Sequence, residues 1–133
     1  MAIDVLPGAD ADLAALEQTD PAALGVILTF LDEAEKDPDV IDKLTTHGDV
    51  EVGTNRLNIK GWVKARRTDN LLRIRILDTP ATTYRIVYGY DWRSRRIGIL
   101  AIRPKEEFEY EIVGELATRI FSDWDTATGG LRT

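Results

Sequence analysis

A chain of 133 residues, 44% of them hydrophobic, is long enough for one buried core, and a single domain over residues 1–133 is expected. With no cysteine and one histidine, His47, disulfides and thiolate chemistry are excluded and a histidine-based metal site lacks partners, so neither metal nor cofactor is expected. No run approaches the roughly 20 apolar residues of a membrane span, and MAIDVLPGAD has neither the basic start nor the apolar core of a signal peptide; a cytoplasmic protein without a membrane partner is expected.

The net charge of −6 is unevenly divided. Residues 1–55 carry 2 basic and 13 acidic side chains, residues 56–103 carry 12 and 3, and residues 104–133 carry 3 and 7. Such a division suits a middle block facing a polyanion, and suits equally a basic sheet face paired with acidic helices of the same molecule.

In chain order, Ala2–Leu6 is a short strand ended by Pro7-Gly8, and Asp10 or Asp12 caps a first helix reaching about Glu17, with Leu13 and Leu16 as its apolar contacts. Asp20 then caps a second helix with Pro21 at its first position. Leu24, Ile27, Leu28 and Leu31 form its apolar stripe, widened by Phe30 and Ala34, and Asp37-Pro38 ends it. A short turn of helix follows through Val40, Ile41 and Leu44. Val50–Val52 and Leu57–Ile59 alternate across Gly53-Thr54-Asn55 as a small hairpin, whereas Trp62–Arg67 reads as a helical turn or as an exposed basic loop. His47, beside Gly48 in a turn-like context, reads as a surface or packing residue.

The most informative stretch is Asn70–Tyr110. Leu72, Ile74 and Ile76 alternate with Arg73 and Arg75, so one face of the strand is apolar and the other cationic. Tyr84, Ile86, Tyr88 and Tyr90 alternate with Arg85 and Val87, and Ile97, Ile99, Ala101 and Arg103 alternate with Gly98, Leu100 and Ile102. Asp78–Ala81 and Asp91–Arg95 are the turns of an antiparallel meander. Its pairing brings Arg73, Arg75, Arg85 and Arg103 to one side as a phosphate-binding surface. Phe108, Ile112, Leu116, Ile120 and Trp124 recur every four residues as a C-terminal helix lying on the core face of the sheet, with Tyr110 pointing away from the stripe and a loose tail over 126–133. The fold class is α+β: an N-terminal strand and helical hairpin, then an antiparallel meander closed by a C-terminal helix.

This order of elements, with LLRIR leading to YRIVY and then to IGILAIR, resembles the RelE/ParE superfamily of bacterial toxins, most closely over residues 70–110. The resemblance implies the toxin of a type II toxin–antitoxin pair, in the RelE branch a metal-independent endoribonuclease that cuts messenger RNA on the ribosome. It also implies a cognate antitoxin and a toxin–antitoxin hetero-oligomer. Carried over by position, the catalytic set is Arg73, Arg75, Arg85, Arg103 and Tyr110. Several members carry lysine where this chain has Arg73 and Arg75. Arginine keeps its proton in proteins and serves poorly as a base, so Tyr110 is the expected base or orienter of the 2′-hydroxyl, with Arg73, Arg75 and Arg85 clamping phosphate and Arg103 near the leaving oxygen. Further RNA contacts are expected from Arg66 and Arg67 and from the hairpin tip at Trp92, Arg93, Arg95 and Arg96, where Trp92 either stacks on a base or folds back. A ParE-like gyrase inhibitor and a non-catalytic RNA- or partner-binding module remain the alternatives.

Overall fold

The computed structural model describes residues 3–61, 71–108 and 114–129. Its elements are β1 (Ile3–Val5), α1 (Pro7–Thr19), α2 (Pro21–Lys36), α3 (Val40–Leu44), β2 (Gly48–Val52), β3 (Asn55–Gly61), β4 (Leu71–Ile76), β5 (Tyr84–Asp91), β6 (Arg96–Pro104) and α4 (Glu115–Ala127). The fold is α+β, as expected. Six strands form an open mixed sheet in the order β1-β6-β5-β4-β3-β2, with β1 parallel to β6 and the other neighbours antiparallel. Among the described residues no helix is long and apolar enough to cross a membrane.

Local chemistry accounts for most boundaries. Pro7 opens α1 rather than merely ending β1, because a proline at the first helical position gives up an amide that has no helical partner there. Asp20 caps α2 as expected, its carboxylate accepting from Ala23 N at 3.2 Å. The apolar stripe of α2 is rotated from the expected one. Ala23, Ile27, Phe30 and Ala34 are fully buried, whereas Leu28 stays 47% exposed. Two small alanines flank Ile27 and Phe30 along this buried stripe. The β2–β3 turn is clamped to α2 by Glu33, which accepts from Thr54 N at 3.1 Å and from Asn55 Nδ2 at 3.1 Å. Gly53 is required there, since its φ is +59° and a Cβ would fall 2.3 Å from the Glu33 carboxyl.

The sheet is covered on both faces. Toward α1–α3 point Leu57, Ile59, Leu72, Ile74, Ile76, Ile86, Tyr88, Ile97, Ile99 and Ile102, which form the main core. Tyr88 is buried within it and donates to Leu44 O at 2.6 Å, meeting the demand of a buried hydroxyl; burial pushes its phenol up. Against the opposite face lies α4, whose Ile120 and Trp124 pack on Leu71, Val87, Leu100 and Ala101. The C-terminal helix therefore does not sit on the same face as the other helices. It takes the face that carries the arginines of β4 and β5, and covers part of it. Gly89 and Gly98 make room for the Trp124 ring, a Cβ at Gly89 falling 2.6 Å from it. The helix begins at Glu115 rather than near Phe108; Lys105–Phe108 is a separate 3₁₀ turn.

A bulge interrupts the simple alternation of β6. Val87 pairs with Ala101 but Tyr88 pairs with Ile99, leaving Leu100 as the extra residue. Ile97 and Ile99 face α1–α3, Leu100 and Ala101 face α4, and Ile102 returns to the main core. Without the bulge, Arg103 would share the face of Ile97 and Ile99. With it, Arg103 lies opposite Arg85.

Candidate functional site

Where α4 stops covering the sheet, cations take over its face. On β4, Arg73 and Arg75 alternate with the buried Leu72, Ile74 and Ile76; on β3, Asn58 and Lys60 alternate with the buried Leu57 and Ile59. The ladder places Lys60 opposite Arg73 and Asn58 opposite Arg75, and Arg73 opposite Val87. Arg85, two residues before Val87, joins them. Asn58, Lys60, Arg73, Arg75 and Arg85 line one niche of about 40 Å³, several times the space one water requires.

No carboxylate lines this niche among the described residues. Among the described residues the side chains of Lys60, Arg73 and Arg75 make no ion pair or hydrogen bond there, and the buried Nε of Arg75 is left without a partner. Arg85 is oriented by donating Nη1 to Thr82 O at 2.9 Å and to Tyr84 O at 3.0 Å, contacts that position the guanidinium. Asn58 donates Nδ2 to Asp49 at 2.8 Å, which fixes its amide at the rim. Like charges held together with a buried, unsatisfied donor are costly in isolation and favourable once an anion lies among them. The planar donors of two or three arginines suit the oxygens of a phosphate.

Arg103 shares the Arg85 face by register but is engaged elsewhere. Its Nε donates to Asp12 Oδ1 at 2.9 Å and its Nη1 to Glu107 at 2.7 Å. Asp12, whose side chain is 4% exposed, also accepts from Arg119 Nη2 at 2.9 Å and from Ile102 N at 2.9 Å, so it ties α1 to both β6 and α4. Burial alone would raise its pKa, yet the donors from Arg119, Ile102 and Arg103 hold it below the ordinary carboxylate value. The hairpin tip also lies apart from the niche. Trp92 is 59% exposed, seven residues along β5 from Arg85, or about 23 Å at the usual strand rise. Arg93 bonds Asp91 at 3.1 Å and Arg96 bonds Asp4 at 2.8 Å, while Arg95 is exposed. Arg66, Arg67 and Tyr110 lie outside the described residues.

Comparison with protein-family models, curated proteins and solved structures finds no match. The chemistry therefore rests on this chain's own residues. Of the arginines expected to converge, the fold brings Arg73, Arg75 and Arg85 to one niche and ties Arg103 to Asp12. It adds Lys60 and Asn58, which sequence reading did not single out. Their signal was the alternation of β3, which gains meaning only once β3 is paired with β4. A second recess, of about 390 Å³, continues from Asn58, Lys60 and Arg73 toward His47. Among the described residues no group of three or more histidine, cysteine or acidic side chains is placed to hold a metal ion.

Proposed function

We propose that this chain is an RNA-cleaving toxin of the RelE/ParE kind, which holds a phosphodiester of messenger RNA on the open half of its sheet. The observation that carries the reading is the niche of Lys60, Arg73, Arg75 and Arg85, in which the side chains of Lys60, Arg73 and Arg75 have no hydrogen-bond or ion-pair partner among the described residues. The resemblance of the meander to that superfamily, carried in part by the same arginines, also supports it. Arg73, Arg75 and Arg85 clamp the non-bridging oxygens and stabilise the charge of the pentavalent intermediate, the contribution expected of preorganised donors. Lys60 completes the clamp from β3. Tyr110 takes the proton of the 2′-hydroxyl, because arginine is a poor base; the 2′-oxygen attacks phosphorus, the bond to the 5′-oxygen breaks, and that oxygen takes a proton from water. Arg103 acts through the fold, anchoring β6 to α1. A cognate antitoxin of complementary, acidic character covers the niche in the resting complex.

The engagement of Arg103 by Asp12 favours one second reading, an RNA-binding module without cleavage, since a position carried over as catalytic is spent on structure. The deciding experiment incubates the purified chain with programmed ribosomes and maps messenger RNA ends, beside an Arg73→Ala/Arg75→Ala double variant whose folding is verified by circular dichroism. Discrete cuts that vanish in the variant support the toxin reading. Bound but uncut messenger RNA replaces it with the binding module, and absence of both binding and cleavage overturns both.

A further inference from the structure

The recess beside the niche has a different chemistry. It is about 390 Å³, within the range of small-molecule sites, and its exposed lining is mostly apolar. His47, Gly48, the backbone of Ile59 and Gly61 form it, with Asn58, Lys60 and Arg73 on the border shared with the niche. Ile59 turns its side chain wholly to the main core, so it contributes backbone here. Gly48 and Gly61 present no side chain, and the His47 ring lies beside Gly61, its Cε1 3.5 Å from where a Cβ would be. The result is a slot with an exposed imidazole at one side and with Lys60 and Arg73 on the border it shares with the niche.

A second phosphate would gain little in such a slot, whereas a flat heterocycle attached to the first phosphate fits both halves. We infer that the His47 recess receives the base and ribose of the nucleotide whose phosphate is held by Lys60, Arg73 and Arg75. The inference rests on the RNA reading above and names a subsite within it. The base lies against the His47 ring, as bases do on aromatic side chains of proteins that bind single strands. Among the described residues one amide hydrogen of Asn58 is committed, to Asp49, which leaves its carbonyl and second hydrogen for a base edge or a ribose hydroxyl.

Because the chain has a single histidine, its imidazole resonances report on this recess without ambiguity. The full chain is titrated with inorganic phosphate and with adenosine 5′-monophosphate, followed by those resonances and by calorimetry. The nucleotide is expected to bind about tenfold more tightly than phosphate, near the lower range of what stacking one base contributes, and to shift the His47 signals. His47→Ala, at an exposed position, and Gly61→Val, which fills the slot without changing charge, each remove that advantage and leave phosphate affinity unchanged. Equal binding of the two ligands, or unmoved His47 signals, overturns the subsite while the phosphate niche stands. Failure of both ligands to bind overturns the niche as well, and with it the RNA reading.

Discussion

Replacing Arg75 by alanine tests the niche most directly, because its buried Nε has no partner and the ladder places it between Asn58 and the Arg85 strand. Lys60, Arg73 and Arg75 each release about one counterion's worth of charge when a single strand binds. With a slope of about −0.7 per phosphate contact, the three together give a slope of about −2 for the logarithm of affinity against the logarithm of salt. Raising salt from about 50 to about 200 mM then lowers affinity about 20-fold. Arg75→Ala reduces the slope by about 0.7, and its effect is largest at low salt. Fluorescence anisotropy with a short labelled single-stranded RNA, measured across that salt range for both proteins, reads the slope directly. A wild-type slope near zero, or an unchanged slope in a folded Arg75→Ala variant, would refute the assignment of these cations to phosphate.

The remaining predictions concern the frame that positions the niche. Asp12→Asn leaves Arg103 and Arg119 without their shared charge partner; because these side chains are 36% and 26% exposed and regain some hydration, the cost is about 2–4 kcal/mol, read by denaturant unfolding. The depressed pKa of Asp12 means that the unfolded chain binds the proton more readily, so its stabilisation is complete above the ordinary carboxylate value and is lost as pH falls through the lower folded value. Stability of the wild type should therefore drop steeply below about pH 4, and less steeply in Asp12→Asn, in thermal melts across that range. Gly89→Ala drives a methyl into the Trp124 ring and should cost about 1–3 kcal/mol, with a change in tryptophan fluorescence; an unaltered melting temperature would show that α4 is not seated there.

What the sequence revealed of this molecule depended on whether the signal was local. The alternation of β4 and β5 and the Asp20-Pro21 start of α2 each depend on residues within a few positions, and all were legible. Period-two patterns say which residues share a face, but not which face a helix will cover. The leucine-rich stripe of α2 gave way to Ala23, Ile27, Phe30 and Ala34, since two apolar stripes overlap at helical spacing and hydrophobicity alone does not choose between them. The same ambiguity put α4 on the wrong side: of its expected stripe Leu116, Ile120 and Trp124 face the sheet while Phe108 falls in a separate turn, and only Gly89 and Gly98 show where a tryptophan can dock. Lys60 and Asn58 escaped notice because their roles come from pairing across the sheet, and Asp12, expected as a helix cap, instead lies inside α1 and joins residues 90 and more positions apart.

The bulge at Leu100 acts as a parity switch. A strand assigns its side chains to two sides by odd and even position, and one additional residue exchanges that assignment for everything beyond it. Removing Leu100 would restore strict alternation and leave Ile102 in the main core and Arg103 opposite Arg85. Straightening the strand with Leu100 retained would instead send Arg103 toward the main core and Ile102 toward the opposite face, parting Asp12 from its cation while exposing an isoleucine. The bulge is thus what lets one strand serve two layers at once, and a further residue inserted beside it would need a second bulge to keep both.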